Sequence, residues 1–230
     1  MQIQRAGFLL ACFTAVGVTA YAGAVTMTFE GLQNEEAINN YYNGGFGGNG
    51  SGPGPNYGVQ FSGDSLALIE AAQGGSGNFF NPPSGDTGMF FLSGSGDIMN
   101  VAAGFTTGFS FYYASPFYAG TVDVYSGLNG TGTLLASLNL ATTPDGAGIQ
   151  GCDGYNYCPF VAAGAIFAGT AESVNFSGVA NYIVFDNVTI GSGTPSAPEP
   201  STFFLISAGL GLAGLVARRR RSSNSGSLQS

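Results

Sequence analysis

The chain of 230 residues has no histidine, no tryptophan and no lysine. Its five basic residues are Arg5 and Arg218–Arg221, all near one end or the other. Of thirteen acidic residues only Glu199 lies in the C-terminal segment, which leaves twelve carboxylates and no basic side chain between residues 24 and 198. These absences exclude whole classes of chemistry. Without histidine there is no Ser-His-Asp or Cys-His nucleophile activation and no imidazole metal ligand. Without lysine there is no Schiff base, and without arginine no bidentate phosphate clamp. Nucleic-acid binding lacks its electrostatic driving term. No carboxylate of this segment can find an ion-pair partner within it. A charge near −12 favours solubility and mutual repulsion, and it attracts divalent cations.

What the chain has instead is glycine, 39 residues of it, set between short apolar runs with no sustained helical period. Eleven runs read as strands: 25–29, 57–62, 65–71, 89–92, 98–101, 108–113, 121–125, 134–140, 162–168, 173–176 and 182–190. Several alternate with period two. Val25, Met27 and Phe29 share a face, as do Phe109, Phe111 and Tyr113, and as do Leu134, Ala136, Leu138 and Leu140. Many short strands in one domain-sized segment predict an all-β, two-sheet sandwich of jelly-roll type. Residues 35–40 suggest one short helical turn. Residues 39–57 form a long Gly-rich loop, and 142–159 a second excursion.

The two ends have a different character. Residues 1–22 read as a signal peptide: Arg5, a small apolar stretch, then the small-x-small sites Ala20-Tyr21-Ala22 and Ala22-Gly23-Ala24. Residues 23–193 are the sandwich and 194–200 a linker. Residues 201–217 are 17 uncharged residues, about 25 Å as a helix, enough to cross a thin hydrocarbon core. The basic tail 218–230 then stays in the cytoplasm, so the sandwich lies outside. Pro198-Glu199-Pro200-Ser201, the apolar run and Arg218-Arg219-Arg220-Arg221 together resemble the PEP-CTERM sorting signal. The resemblance implies an exported protein of an exopolysaccharide-producing bacterium, tethered in the inner membrane as a precursor. An exosortase-type membrane enzyme would process it and pass it to the cell surface or extracellular matrix.

Cys12 falls in the signal segment, and export of the rest predicts a disulfide between Cys152 and Cys158. Aromatic residues gather in the loops. Tyr41, Tyr42, Phe46 and Tyr57 flank the Gly-rich loop, Phe117 and Tyr118 occupy a turn, and Tyr155 and Tyr157 lie within the disulfide loop. Tyr41, Tyr42, Tyr57, Tyr155 and Tyr157 are candidate ligand contacts, because phenol rings stack on sugars; the alternative is that they cap the sandwich ends. Paired carboxylates could hydrolyse a glycosidic bond. Glu35-Glu36, Asp64 with Glu70, and Asp97 are available, and nothing in their sequence neighbours marks one as buried.

Two further segments, Val122–Leu140 and Phe176–Ile190, are similar to those of exported proteins with a galactose-binding-like or carbohydrate-module jelly roll. Such modules often hold a structural Ca²⁺ where the first and last strands meet. The resemblance therefore points to Glu30, after the first run, and Asp186, in the last, as Ca²⁺ ligands. A regular last strand puts Asp186 on one face with Val184, Val188 and Ile190; a bulge at Asp186-Asn187 would turn it elsewhere. No catalytic residue is expected. The expected role is a non-enzymatic surface or matrix protein associated with exopolysaccharide. The alternatives are a Ca²⁺-dependent carbohydrate-binding module and a glycoside-acting enzyme.

Overall fold

The structure is a computed structural model that describes residues 23–94 and 96–195. Eleven strands follow one another: β1 (Val25–Met27), β2 (Val59–Phe61), β3 (Ser65–Ile69), β4 (Thr87–Phe91), β5 (Gly96–Phe105), β6 (Gly108–Ala114), β7 (Gly120–Gly127), β8 (Thr131–Leu140), β9 (Val161–Ile166), β10 (Ala171–Ser177) and β11 (Val184–Ile190). Each of the eleven runs read from the sequence supplies one of them. One sheet has the order β3-β4-β11-β6-β9, with β1 also paired to β11, and the other has the order β2-β5-β10-β7-β8. All pairings between these strands are antiparallel. The result is a jelly-roll-like sandwich.

Alternation explains the core. From β6, Phe109, Phe111 and Tyr113 all point inward. Phe176 of β10 crosses from the facing sheet to meet Phe185 of β11, with ring centroids 5.0 Å apart. Burying each such ring contributes about 1.5–3 kcal/mol. The main core draws only on residues between Val25 and Ile190, so residues 23–195 carry a complete core of their own.

Local departures from the sequence reading have physical causes. In β8 the pairing slips beside Leu135, which leaves Leu134 exposed while Leu135, Ala136 and Leu138 pack on the core. Residues 35–40 form no helical turn. Glu35 takes a left-handed conformation (φ 58°), and the segment runs along β3 instead, with Glu35 N–H donating to Ala67 O and Ile38 N–H to Ser65 O. This strip covers the outer edge of β3.

Among the described residues no helix is long and apolar enough to cross a membrane. The expected signal helix at 1–22, the span at 201–217 and most of the linker 194–200 lie outside the described residues.

Candidate functional site

A second, smaller apolar cluster builds the site. It lies on the outer face of the six-stranded sheet, where β3 presents Leu68, β4 Phe90, β6 Ala114 and β11 Val184. Two excursions fold over this face. Residues 70–86 bring Phe79, and the disulfide loop brings Tyr157; the two join through a parallel bridge between Phe79 and Tyr157. Phe160 packs edge-on against Phe79 at 5.9 Å, and Tyr155 stacks on Phe80 at 5.5 Å. The Cys152–Cys158 disulfide is present, with both sulfurs' residues buried. Ser115, at the end of β6, anchors the excursion by accepting Thr143 N–H at its carbonyl and donating its own N–H to Thr143 Oγ1.

The excursions leave a cleft of about 400 Å³. Leu68, Phe79, Phe90 and Val184 line its apolar floor, and Glu35, Ser76, Asn78 and Asn181 supply polar groups. Phe117 (46 % exposed) and Tyr182 (39 %) stand at its side. Phe117 packs edge-on against both Tyr157 (5.8 Å) and Tyr182 (6.3 Å), and Tyr118 braces Tyr182 at 4.8 Å. Burial, with Tyr182 and Tyr118 nearby, pushes the Tyr157 hydroxyl up to about 12, so it stays a neutral donor and acceptor. Among the described residues Glu35 is the one carboxylate in the lining, and Ser76 Oγ donates to it at 2.5 Å. Rings, amides and hydroxyls around an open apolar floor suit a neutral polyol with hydrophobic faces.

Of the five candidate tyrosines, Tyr157 lines this cleft and Tyr155 supports the loop behind it. The other three lie elsewhere. Tyr42 is a correction: it is 3 % exposed, its hydroxyl accepts Phe29 N–H at 2.6 Å, and burial holds its pKa well above the usual phenol value. Tyr57 stacks on Tyr42, and Tyr41 donates to Glu30 O. Phe79, Asn78, Asn181 and Tyr182 were missed as site residues. Long-range pairing assembles them, and only the loop position of Phe117 carried a local signal.

Glu30 and Asp186 do meet, at a fork. One flank of β11 is shared, β4 pairing at Phe185 and β1 from Val188 to Ile190. Asn187 sits between them in a left-handed bulge (φ 49°). The bulge corrects the regular-strand reading. Asp186 stays on the outer side with Val184, whereas Val188 and Ile190 turn into the main core. The turn 84–87 wraps both carboxylates with backbone N–H groups. Ser84 N–H donates to Asp186 Oδ2 (2.8 Å) and Asn187 N–H to Oδ1 (2.6 Å). Asp86 and Thr87 N–H donate to Glu30 Oε1 at 3.0 and 2.9 Å. Burial nevertheless pushes Asp186 up to about 8, against the Ser84 and Asn187 hydrogen bonds and with help from the Glu30 charge. Burial also raises Glu30. Asn187 Oδ1 is buried beside this fork without a hydrogen-bond partner.

Three of the remaining acids, Glu36, Glu70 and Asp97, are buried, although nothing in their sequence neighbours marks them so, while Asp64 is exposed. Glu36 would be raised by burial alone, but hydrogen bonds from Ser51, Gln33 and Asn49 hold it below the usual value. Asp97 accepts from Ser62 Oγ at 2.6 Å and from Ser65 Oγ, while its Oδ2 has no partner; burial pushes it up to about 6. Burial raises Glu70, opposed by Asn81 N–H.

No curated protein matches this chain. The fold is similar to the K2 cleaved adhesin domain of Lys-gingipain, at 14 % identity over 74 % of this chain and 100 % of that one, with a TM-score of 0.46. It is also similar to a carbohydrate-binding module from Cellvibrio mixtus lichenase 5A in complex with cellotriose, at 12 % identity over 58 % and 89 % of the chains, with a TM-score of 0.35. A β-1,3-glucan-binding module from Bacillus halodurans gives 17 % identity over 59 % and 87 %, with a TM-score of 0.33. Scores this low carry no argument about ligands. The tail is more specific. Residues 196–221 match the PEP-CTERM protein-sorting motif, which marks the chain as a membrane-anchored precursor that is exported and processed to the cell surface or extracellular matrix.

Proposed function

We propose that the delivered domain is a non-enzymatic surface or matrix protein that associates with exopolysaccharide through the aromatic cleft. The observation that carries this reading is the pairing of exposed, braced rings, Phe117 and Tyr182, with the amides of Asn78 and Asn181 around an apolar floor. A sugar ring stacks its C–H face on such rings while amides bond its hydroxyls. Before that, residues 1–22 are removed, 201–217 hold the precursor in the membrane and 218–230 remain cytoplasmic. Cleavage by the exosortase-type enzyme near Pro198–Ser201 then releases or transfers the domain. Intact mass measurement of the protein from its host tests this step; a retained Arg218–Arg221 would refute it. A glycan array probed with residues 23–195 tests the cleft. Saturable binding to neutral glycans, weakened about tenfold in Phe117→Ala, is the expected result, and no saturable binding refutes it.

A second reading, the Ca²⁺-dependent module, draws support from the fork. Glu30 and Asp186 are two carboxyl groups, one partly and one fully buried, with no basic neighbour among the described residues, and Asn187 Oδ1 is an unpartnered oxygen beside them. Oxygen-only donors suit a hard cation. Glu30, Asp186 and Asn187 would hold it, and it would neutralise the fork. The melting temperature with Ca²⁺ and with chelator tests this, and equal values end it. A glycoside-acting role has less support, since that chemistry needs two carboxyl groups about 5–10 Å apart and Glu35 alone lines the cleft.

A further inference from the structure

We propose a second glycan site on the opposite face of the sandwich, an amide-lined groove beneath the Gly-rich loop that binds a neutral polysaccharide chain. If the cleft also binds glycan, as proposed above, the domain is a bivalent cross-linker rather than a single-site binder.

The groove has a volume of about 390 Å³. Gln60 on β2 and Ile98 and Asn100 on β5 form its floor, and Asn40, Phe46 and Asn129 stand around it. Among the described residues no charged side chain lines it. Gln60 alternates with the core residues Val59 and Phe61, and Ile98 and Asn100 alternate with Met99 and Val101. The floor is therefore the outer face of the five-stranded sheet, and the cleft lies on the outer face of the other. Sites on opposite outer faces can hold two different chains at once.

The amides are set in place by one another. Gln60 Nε2 donates to Asn40 Oδ1. Asn100 Nδ2 donates to Asn129 Oδ1 at 2.8 Å, and Asn100 Oδ1 accepts Asn129 N–H at 2.8 Å. Asn129 adopts a left-handed conformation (φ 57°) that asparagine tolerates better than most residues. The Gln60–Asn40 pair uses one donor and one acceptor and the Asn100–Asn129 pair two of each, so Asn40 and Asn129 keep their Nδ2 groups and Gln60 its Oε1 for a ligand. Fixed amide donors and acceptors recognise vicinal hydroxyls at little entropic cost.

Phe46 supplies the stacking face. It is 55 % exposed and belongs to neither apolar cluster, so the core does not require it. Yet the loop that carries it is pinned. Glu36 Oε1 accepts Asn49 N–H (2.8 Å) and Ser51 N–H (3.0 Å) from beneath, and Gly54 N–H donates to Gly45 O across the loop. Gly47 lies so close that a Cβ there would stand 2.4 Å from Glu36 Oε1. An exposed ring held on a rigid loop above interlocked amides is a preorganised sugar platform. The uncharged lining, within a domain of charge near −12, selects neutral over anionic glycans.

The test is affinity electrophoresis of residues 23–195 in gels containing a soluble β-1,4-glucan, β-1,3-glucan, xylan or galactomannan, with polygalacturonate as the anionic control. Light scattering of the same mixtures reads chain bridging. Phe46→Ala and Gln60→Ala remove exposed groove side chains, and Phe117→Ala removes the cleft ring. The expected result is retardation in at least one neutral gel, weakened about tenfold at the groove by Phe46→Ala, with bridging lost and the melting temperature unchanged. Migration of both groove variants like the wild type overturns the proposal, as does no retardation in any neutral gel or equal retardation by polygalacturonate. If Phe117→Ala binds and bridges like the wild type, the cleft reading fails while the groove stands or falls on Phe46→Ala.

Discussion

Asp97 should make the domain more stable in mild acid than at higher pH. The carboxyl is 1 % exposed, one oxygen is engaged by Ser62 and Ser65 hydroxyls, and the other has no partner. Burial raises its folded-state pKa from 3.8 to about 6. The unfolded chain ionises first, so the folded state gains from protonation: the contribution is fully present below about pH 4 and is lost as pH rises through about 6. A shift of roughly two units corresponds to about 3 kcal/mol lost between pH 4 and pH 8. For a domain of this size that is roughly 6–12 °C in Tm. Asp186, raised from 3.8 to about 8 by burial, acts in the same direction over a window that opens at the same pH and extends to about 8, and repulsion among twelve carboxylates adds to both. Asp97→Asn isolates one share. The amide keeps an acceptor for the two serine hydroxyls and cannot ionise. Urea unfolding of residues 23–195 should show the wild type more stable at pH 5 than at pH 8. The variant should have a flatter profile and gain up to about 3 kcal/mol over the wild type at pH 8. A wild-type midpoint equal or higher at pH 8, or a variant with the wild-type slope, refutes the reasoning.

Other perturbations follow from the same geometry. Glu36→Ala strips acceptors from three backbone N–H groups, those of Gln33, Asn49 and Ser51. It should cost about 3 kcal/mol and abolish hydrogen-exchange protection at Asn49 and Ser51; protected amides would count against the clasp. Because Glu36 is held below its usual pKa, its contribution is present above about pH 4.5 and fades on further acidification, opposite in sign to Asp97. Replacing Cys152 and Cys158 together by serine opens a short loop and should cost about 2 kcal/mol, loosening Tyr157 at the cleft; an unchanged melt would show that the staple is redundant. Gly85→Ala places a methyl 2.3 Å from the Glu30 carboxyl at a positive φ of 47°. It should destabilise by more than about 1 kcal/mol, and a neutral result would mean that the 84–87 turn can move away from Glu30.

The strands were legible because half-buried strands impose period two, whereas their spatial order in the two sheets comes from long-range pairing that no local run records. Bulges were not. Leu134 and Asp186 alternate correctly on paper, but single-residue slips beside Leu135 and at Asn187 reverse which side their neighbours face. Burial of the acids was equally hidden. Glu35 and Glu36 are adjacent and chemically alike, yet one is exposed and the other fully buried, because loop N–H groups thirteen and fifteen residues on converge on Glu36.

The sequence by itself determined where the protein goes and what chemistry it lacks. Its sorting tail is contiguous, and a segment from 24 to 198 without histidine, lysine or arginine lacks them in any fold. The tertiary structure alone decided the two candidate binding faces. Phe79, Phe117, Tyr157 and Tyr182 come from separate loops, as Phe46, Gln60, Asn100 and Asn129 come from separate strands and turns. Such sites arise where antiparallel pairing brings distant segments together and backbone N–H groups hold their loops still, and neither condition is written in any local stretch of chain.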